Sequence, residues 1–257
     1  DASQYKDYVL FMLFIKYISD KYADYDGFEP PVIIPEGAAF KDMLQLRGRD
    51  DIGDSINTRV IQPLIDSNPR LARMNMILHD FPTATILNGN ILAAPKFKEG
   101  EGLRTYDFVV ANPPFSDKTW RTGLIPEEDP YERFPWGVPP AKQGDYAYLL
   151  HIVRVMKSTG KAACILPHGV LFRGNAEARI RKNLVCSGIL KGIIGLPPNL
   201  FCGTGIPACI VVLDKETAPD RTGIFMIDGA RGFMKDGNKN RLREQDIYRI
   251  VDTFRSG

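Results

Sequence analysis

Two prolines in succession, Pro113 and Pro114, constrain the middle of this 257-residue chain more than any other feature. They lie in Asn112-Pro113-Pro114-Phe115, directly after Tyr106-Asp107-Phe108-Val109-Val110-Ala111. That run is mostly apolar and β-prone, and reads as a buried strand. Each proline fixes φ and removes a backbone donor. Each also pushes its predecessor, Asn112 and then Pro113, towards extended geometry. The tetrad can therefore neither continue the sheet nor start a helix. It forms a stiff loop at a strand's end and presents one amide side chain, one proline carbonyl and one aromatic ring in a fixed relation.

Those groups suit the activation of an exocyclic amine on an aromatic base, a poor nucleophile because its lone pair is delocalised into the ring. The Asn112 side-chain oxygen and the Pro113 carbonyl can accept both N–H hydrogens. This draws the nitrogen towards tetrahedral geometry and aims its lone pair at an electrophile such as the methyl of a sulfonium. Phe115 can stack on the base and hold its plane. The plainer alternative is a proline turn leaving a strand.

The chain is long enough to bury a sizeable core in one large domain or two smaller ones. Its net charge is +2, so a nucleic-acid substrate would be held by local patches or by a partner. The cysteines Cys164, Cys186, Cys202 and Cys209 form no C-x-x-C, and His79, His151 and His168 are scattered, so zinc-type spacing is absent and no metal is expected. Cys164 and Cys209 lie in apolar runs and read as buried free thiols. No signal peptide is read, and the longest apolar run, Val9 to Ile15, is too short to span a membrane. A cytoplasmic setting is expected.

Residues 5–22 read as a very apolar helix, 24–37 as loop, and 55–66 as a helix with Ile56, Val60, Ile61, Leu64 and Ile65 on one side, disturbed by Pro63. Arg70 to His79 reads as a helix and Thr85 to Leu87 as a short strand before Asn88-Gly89-Asn90. After the tetrad, residues 116–143 form a long proline-rich loop bearing Trp120 and Trp136, a length that is usually functional or disordered. Then come a helix from Asp145 to Lys157 and a strand from Ala162 to Leu166. A helix from Asn175 to Val185 follows, then strands at 189–196, 207–213 and 224–227. A C-terminal amphipathic helix is marked by Ile247, Ile250, Val251 and Phe254. Strands alternating with helices argue a doubly wound α/β sheet, in which ligands bind outside the carboxyl ends of the strands, where the tetrad falls.

The tetrad resembles the catalytic motif of amino-methyltransferases that use S-adenosylmethionine. Further segments resemble the modification (M) subunits of type I restriction-modification systems: Tyr5-Lys6-Asp7-Tyr8 through Lys21, Leu71-Ala72-Arg73-Met74-Asn75-Met76, Pro167 to Arg173, Gly195 to Phe201, and Gly203 to Cys209. The resemblance spans most of residues 3–23 and 70–254. It implies a Rossmann-like methyltransferase domain over 68–257 behind a small helical domain over 1–67. It also implies N6-methylation of a flipped adenine in double-stranded DNA, with S-adenosylmethionine as cofactor. A sequence-reading specificity (S) subunit would be a partner, and the restriction (R) subunit would join through the complex. Asn112, Pro113, Pro114 and Phe115 are then the catalytic residues.

The chain departs from that family where the cofactor is held. Members carry an aromatic-Thr-Pro stretch and a glycine-rich loop upstream of the tetrad, and neither is found. The G-x-G sequences here are Gly100-Glu101-Gly102, ahead of a strand, and the late Gly203-Thr204-Gly205, which reads as a turn. The pattern breaks between about residues 57 and 70, as if a segment were left out. No acidic residue is assignable to the cofactor's ribose. Asn90 stands where the family often has an acidic residue that contacts the cofactor's adenine, and its oxygen could accept the same hydrogen bond; a simple turn is the alternative.

For DNA contact the candidates are Arg173, after a strand's carboxyl end, and Arg179 and Arg181 on the basic helix, where a solvated face is the plainer reading. Asp145 reads as a helix cap. Two alternatives to the enzyme stay open: a non-catalytic interaction subunit of the same fold, and methylation of a protein glutamine, whose amide nitrogen poses the same lone-pair problem.

Overall fold

The structure is a computed structural model that describes residues 15–17, 19–20, 33–47, 55–56, 59–60, 63–64, 76, 81, 83–201 and 204–256. The chain forms two compact units, residues 1–88 and 89–257. Most of the expected helices over 5–22 and 70–79, the turn at Gly203, and Cys202 lie outside the described residues. So does most of the stretch 57–70, which runs without interruption in the sequence.

The first unit is held by an apolar cluster of Ile15, Ala38, Met43, Leu46, Ile56, Val60 and Leu64. Helix α1 (Phe40–Leu44) starts where the Phe40 N–H donates to Ser19 Oγ at 2.8 Å and the Ala39 N–H to Asp42 Oδ2 at 3.0 Å. Ile56, Val60 and Leu64 are buried, as their spacing predicts. Residues 59–60 take a wider π turn just ahead of Pro63, whose missing N–H cannot close an ordinary helical turn.

The second unit is built on a five-stranded mixed sheet. Strands β1 (Lys98–Glu99) and β2 (Gly102–Leu103) form a short antiparallel pair ahead of it. The sheet comprises β3 (Tyr106–Ala111), β4 (Met156–Pro167), β5 (Leu190–Gly195), β6 (Ala208–Asp214) and β7 (Phe225–Asp228), in the order β3-β4-β6-β5-β7. The β3–β4 and β5–β7 pairs are parallel, while β6 runs antiparallel to both of its neighbours. The carboxyl ends of β3, β4, β5 and β7 thus share one edge of the sheet. A hairpin of β8 (Met234–Asp236) and β9 (Lys239–Arg241) follows.

Alternation along the strands separates two faces. Ala162, Cys164 and Leu166 of β4, Cys209, Val211 and Leu213 of β6 and Leu190 of β5 point to one face, into the main core. Helix α2 (Asp145–Val155) covers that face with Leu149, Leu150 and Ile152, and α3 (Asn175–Cys186) with Ile180 and Leu184. The other face carries α4 (Glu244–Ser256) at the β5–β7 end, where Phe254 meets Phe225 edge-on, ring centres 5.8 Å apart. Cys164 and Cys209 are buried free thiols, and burial pushes them up to about 12 and about 11.

Four expectations change. Strand β3 exists but is not buried: it is the sheet's edge, its outer side pairs with no strand among the described residues, and Phe108 and Val110 are 77% and 82% exposed. Residues 85–87 form no strand, because no ladder partner meets them. Helix α2 stops at Val155, and Met156 and Lys157 already belong to β4, which is far longer than its apolar stretch 162–166 suggested. Lys157 to Gly160 are not matched to β3: Met156 opposes Tyr106 and Lys161 opposes Phe108, and the four residues between form a bulge in which a Cβ at Gly160 would meet the Lys157 backbone at 2.9 Å. Among the described residues no helix is long and apolar enough to cross a membrane.

Candidate active site

The tetrad leaves β3 at the shared carboxyl edge. Ala111 is still paired with Cys164 of β4, and Asn112 follows it, exposed and outside the ladder. Phe115 turns back to meet Phe201 edge-on, ring centres 5.8 Å apart and planes at 76°. The next residue, Ser116, takes φ +52°, a left-handed conformation that turns the chain out of the strand direction.

Behind the tetrad, the proline-rich segment 116–143 is ordered by buried anchors. Trp120 is 1% exposed and its indole N–H donates to the Pro140 carbonyl at 2.9 Å. The Gly144 N–H donates to the Asp117 carbonyl, and a Cβ at Gly144 would meet Trp120 Cβ at 2.8 Å, so only glycine fits this crossing. The Tyr148 hydroxyl donates to Asp117 Oδ2 at 2.8 Å, while burial, with Asp117 beside it, raises the phenol's pKa well above its ordinary value. Arg133 is clamped on Asp129 through Nε and Nη2, at 2.6–3.1 Å, with both side chains essentially buried. This segment is a fixed wall.

Phe201, which sequence reasoning passed over, belongs to the site. It lies on the loop after β5, and β9 holds that loop: Lys239 Nζ donates to the Phe201 carbonyl at 3.0 Å and Asn240 Nδ2 to that of Pro198 at 2.6 Å. The signal available was an aromatic residue closing Pro197-Pro198-Asn199-Leu200-Phe201 directly after a strand.

The charged candidates separate. Arg173 Nη1 donates to Asp145 Oδ2 at 2.7 Å and to Glu177 Oε1 at 3.2 Å. Arg181 Nη1 donates to the Val170 and Arg173 carbonyls at 3.0 Å each, bracing the turn after β4. Both are engaged within the fold; Arg179 is exposed. Burial raises the Glu177 pKa despite the nearby Arg173 guanidinium. Burial works against the Arg173 charge too, yet Asp145 and Glu177 hold its pKa above the ordinary value. Of the other basic residues, Lys239 is on the Phe201 loop and Arg243 pairs with Asp246 at 2.8 Å. Asp145 is not the helix cap, which is Gly144; its carboxylate crosses to the tetrad loop instead.

The groups needed to cradle a sulfonium cofactor do not come together among the described residues. Asn90 Oδ1 accepts the Leu92 and Ala93 N–H groups at 2.9 and 3.0 Å, so its two lone pairs serve its own turn. The sequence holds no glycine between Gly53 and Gly89, upstream of the tetrad, where close backbone approach would need one. The His168 Nε2 atom is buried without a partner among the described residues, but it stands near Gly195 of β5, three strands along from β3. The tetrad is the candidate for the amine side of a methyl transfer, and among the described residues no donor side is assembled beside it. Among the described residues no group of three or more His, Cys, Asp or Glu is placed to hold a metal ion.

A strand ending in this tetrad at the carboxyl edge of a helix-covered mixed sheet defines a chain of the amino-methyltransferase class. The chain belongs to the N-6 DNA Methylase family, whose description matches residues 61–257, while residues 1–91 match the HsdM N-terminal domain. It is 32% identical over 199 residues to the type I restriction enzyme MjaIX methylase subunit of Methanocaldococcus jannaschii, covering 74% of this chain and 35% of that one. Against the type I restriction enzyme MpnII methylase subunit of Mycoplasma pneumoniae it is 34% identical over 197 residues, 72% and 35% of the two chains. The crystal structure of the type I restriction-modification system methyltransferase subunit from Streptococcus thermophilus matches with a TM-score of 0.63 and 33% identity, over 80% of this chain and 45% of that one. This chain thus spans about a third of the length of those curated relatives.

Phe115 gives a graded test of base stacking. Losing one aromatic–base stack costs ~1–3 kcal/mol, or roughly 5- to 150-fold. In a methyl-transfer assay Phe115→Trp should keep much of the activity and Phe115→Ala should lose most of it. Equal activity in the two variants, high or low, would rule stacking out.

Proposed function

We propose that the chain is part of a type I modification subunit that acts on the N6 amine of adenine in double-stranded DNA. The observation that carries this reading is the exposed Asn112 at the end of β3, followed in the chain by Pro113, Pro114 and Phe115, whose ring is held against Phe201. The Asn112 oxygen and the Pro113 carbonyl accept the two amine hydrogens, which frees the nitrogen lone pair for attack. Phe115 holds the base plane, and Phe201, in edge-on contact with it, steadies that ring. An amine inside a duplex is out of reach, so the adenine is flipped out to the tetrad.

The methyl donor in this reading is S-adenosylmethionine, which supplies a methyl group activated by a sulfonium. The described residues do not form its cradle, and the second reading, an interaction subunit of the same fold without methyl transfer, rests on that observation. The partners proposed are a specificity subunit and, through the complex, a restriction subunit, in the cytoplasm. Arg179 and the neighbouring exposed Lys182 are the proposed phosphate contacts on α3.

Tritiated methyl from S-adenosylmethionine should appear at adenine N6 of an unmethylated duplex when the chain is mixed with the specificity subunit of its system. DNA binding without incorporation would instead support the interaction subunit. Alone, the chain should bind unrelated duplexes equally, at ~10⁻⁴–10⁻⁶ M at physiological salt, because its net charge is only +2 and several of its basic side chains are paired internally. Nanomolar, sequence-selective anisotropy curves for the chain alone would overturn the assignment of sequence reading to a partner.

A further inference from the structure

The tetrad is pinned at both ends. Upstream, Ala111 is locked into the β3–β4 ladder opposite Cys164. Downstream, the peptide joining Phe115 to Ser116 gives its N–H to Asp145 Oδ1 at 2.7 Å, across 29 residues of sequence. The Asp145 side chain is 0% exposed, and its second oxygen takes Arg173 Nη1 at 2.7 Å. Arg173 returns to the loop, with Nη2 3.5 Å from Ser116 Oγ, and reaches the buried Glu177 at 3.2 Å. A closed ring of contacts therefore runs from Ser116 through Asp145 and Arg173 back to Ser116. Between the two pins lie four residues, two of them prolines with fixed φ. The path of the backbone between the pins is thereby narrowed.

Helix capping does not account for this arrangement. Asp145 follows the capping Gly144, and one carboxylate oxygen faces the loop while the other faces the arginine. A fully buried carboxylate needs a counter-ion and hydrogen-bond donors, and here the backbone donor is the Ser116 N–H, two residues after the second proline.

We propose that Asp145 is a positioning residue for the tetrad: it sets the direction of Asn112, the Pro113 carbonyl and Phe115 by holding the Phe115–Ser116 peptide, with Arg173 as its counter-ion. This rests on the amine-activating reading of the tetrad. An interaction made by way of geometry should show in kcat more than in KM.

The test compares Asp145→Ala and Asp145→Asn in the full chain with its specificity subunit, and follows backbone amide exchange by NMR in the chain itself. Asp145→Ala should lower kcat at least tenfold while KM for DNA moves less than threefold. Its Ser116 amide should exchange at least tenfold faster than in the wild type, with the amides of β4 unchanged. Asp145→Asn keeps an oxygen for the Ser116 N–H, so it should keep that amide protected and recover most of kcat. The proposal is overturned if Asp145→Ala keeps kcat within twofold, or if β4 and Ser116 amides accelerate together. It is equally overturned if Asp145→Asn, with Ser116 still protected, is as slow as the alanine variant. Should the wild type transfer no methyl group, the functional reading fails alone; the Ser116 exchange rates still decide whether Asp145 holds the loop. Should the alanine variant not fold, Asp145→Asn against wild type decides it, Ser116 protection supporting the proposal and its loss overturning it.

Discussion

Replacing Asn112 with alanine should reduce methyl transfer on the order of 10²–10³-fold, the scale on which loss of one hydrogen bond formed to a developing transition state is felt. The side chain is exposed at the end of β3 and contributes nothing to the core, so circular dichroism and thermal unfolding should match the wild type. The amide oxygen draws on the amine most strongly as the nitrogen becomes tetrahedral. The loss should therefore fall on kcat and leave DNA affinity nearly unchanged. A tritiated-methyl assay with an intact far-ultraviolet spectrum reads this directly. Activity within a few-fold of wild type would remove Asn112 from the reaction and leave the tetrad as a proline turn.

The second large effect concerns folding. Arg133 and Asp129 are 1% and 3% exposed in their side chains, joined at 2.6 Å, and the Arg133 guanidinium also lies over the Tyr131 and Phe134 rings at 5.4 and 5.6 Å. Removing one partner of a buried pair strands the other charge, a loss of ~3–5 kcal/mol. Arg133→Ala should lower the unfolding free energy of the second unit by that amount in urea titrations, and Arg133→Lys, which keeps the charge but not the fork, should fall between. A loss below about 1 kcal/mol would mean the pair behaves as a solvated one. His151 Nδ1 lies 3.4 Å from Arg133 Nη1, and burial, reinforced by that charge, pushes the imidazole down from 6.5 to about 4. A base held neutral in the folded state favours unfolding once the unfolded chain takes up protons. The unit therefore loses stability as pH falls from 6.5 towards 4, and none of this contribution is felt at neutral pH.

Much of this molecule is legible from local pattern. The strands at 190–195, 208–214 and 225–228 and the helices at 145–155, 175–186 and 244–256 lie close to where periodicity places them, although in the last helix only Ile250 and Phe254 of the expected apolar face are half-buried while Ile247 and Val251 stay exposed. What failed was long-range. The apolar run 106–111 reads as buried, but strand order is decided by pairing partners, and β3 is an edge. Met156 and Lys157 read as the end of a helix, yet Met156 pairs with Tyr106 and, after a bulge over 157–160, Lys161 pairs with Phe108, so β4 starts well before its apolar stretch. At the site, the tetrad is visible because prolines act locally. Asp145 looks like a cap, Arg173 like a DNA contact after a strand's end and Arg181 like part of a solvated face, since their partners lie 29, 28 and up to 11 residues away. Phe201 depends on the hairpin β8–β9 to reach Phe115, a relation no single stretch of sequence contains.

The exposed side of β3 bears on how the chain behaves in a tube. A strand whose outer row of backbone donors and acceptors meets no strand among the described residues, and with Phe108 and Val110 bare on one face, is a template onto which a second strand can add. A net charge of +2 supplies little repulsion between copies. Self-association on concentration is therefore expected to begin at these six residues on one border of the sheet, the same six that lead into the tetrad.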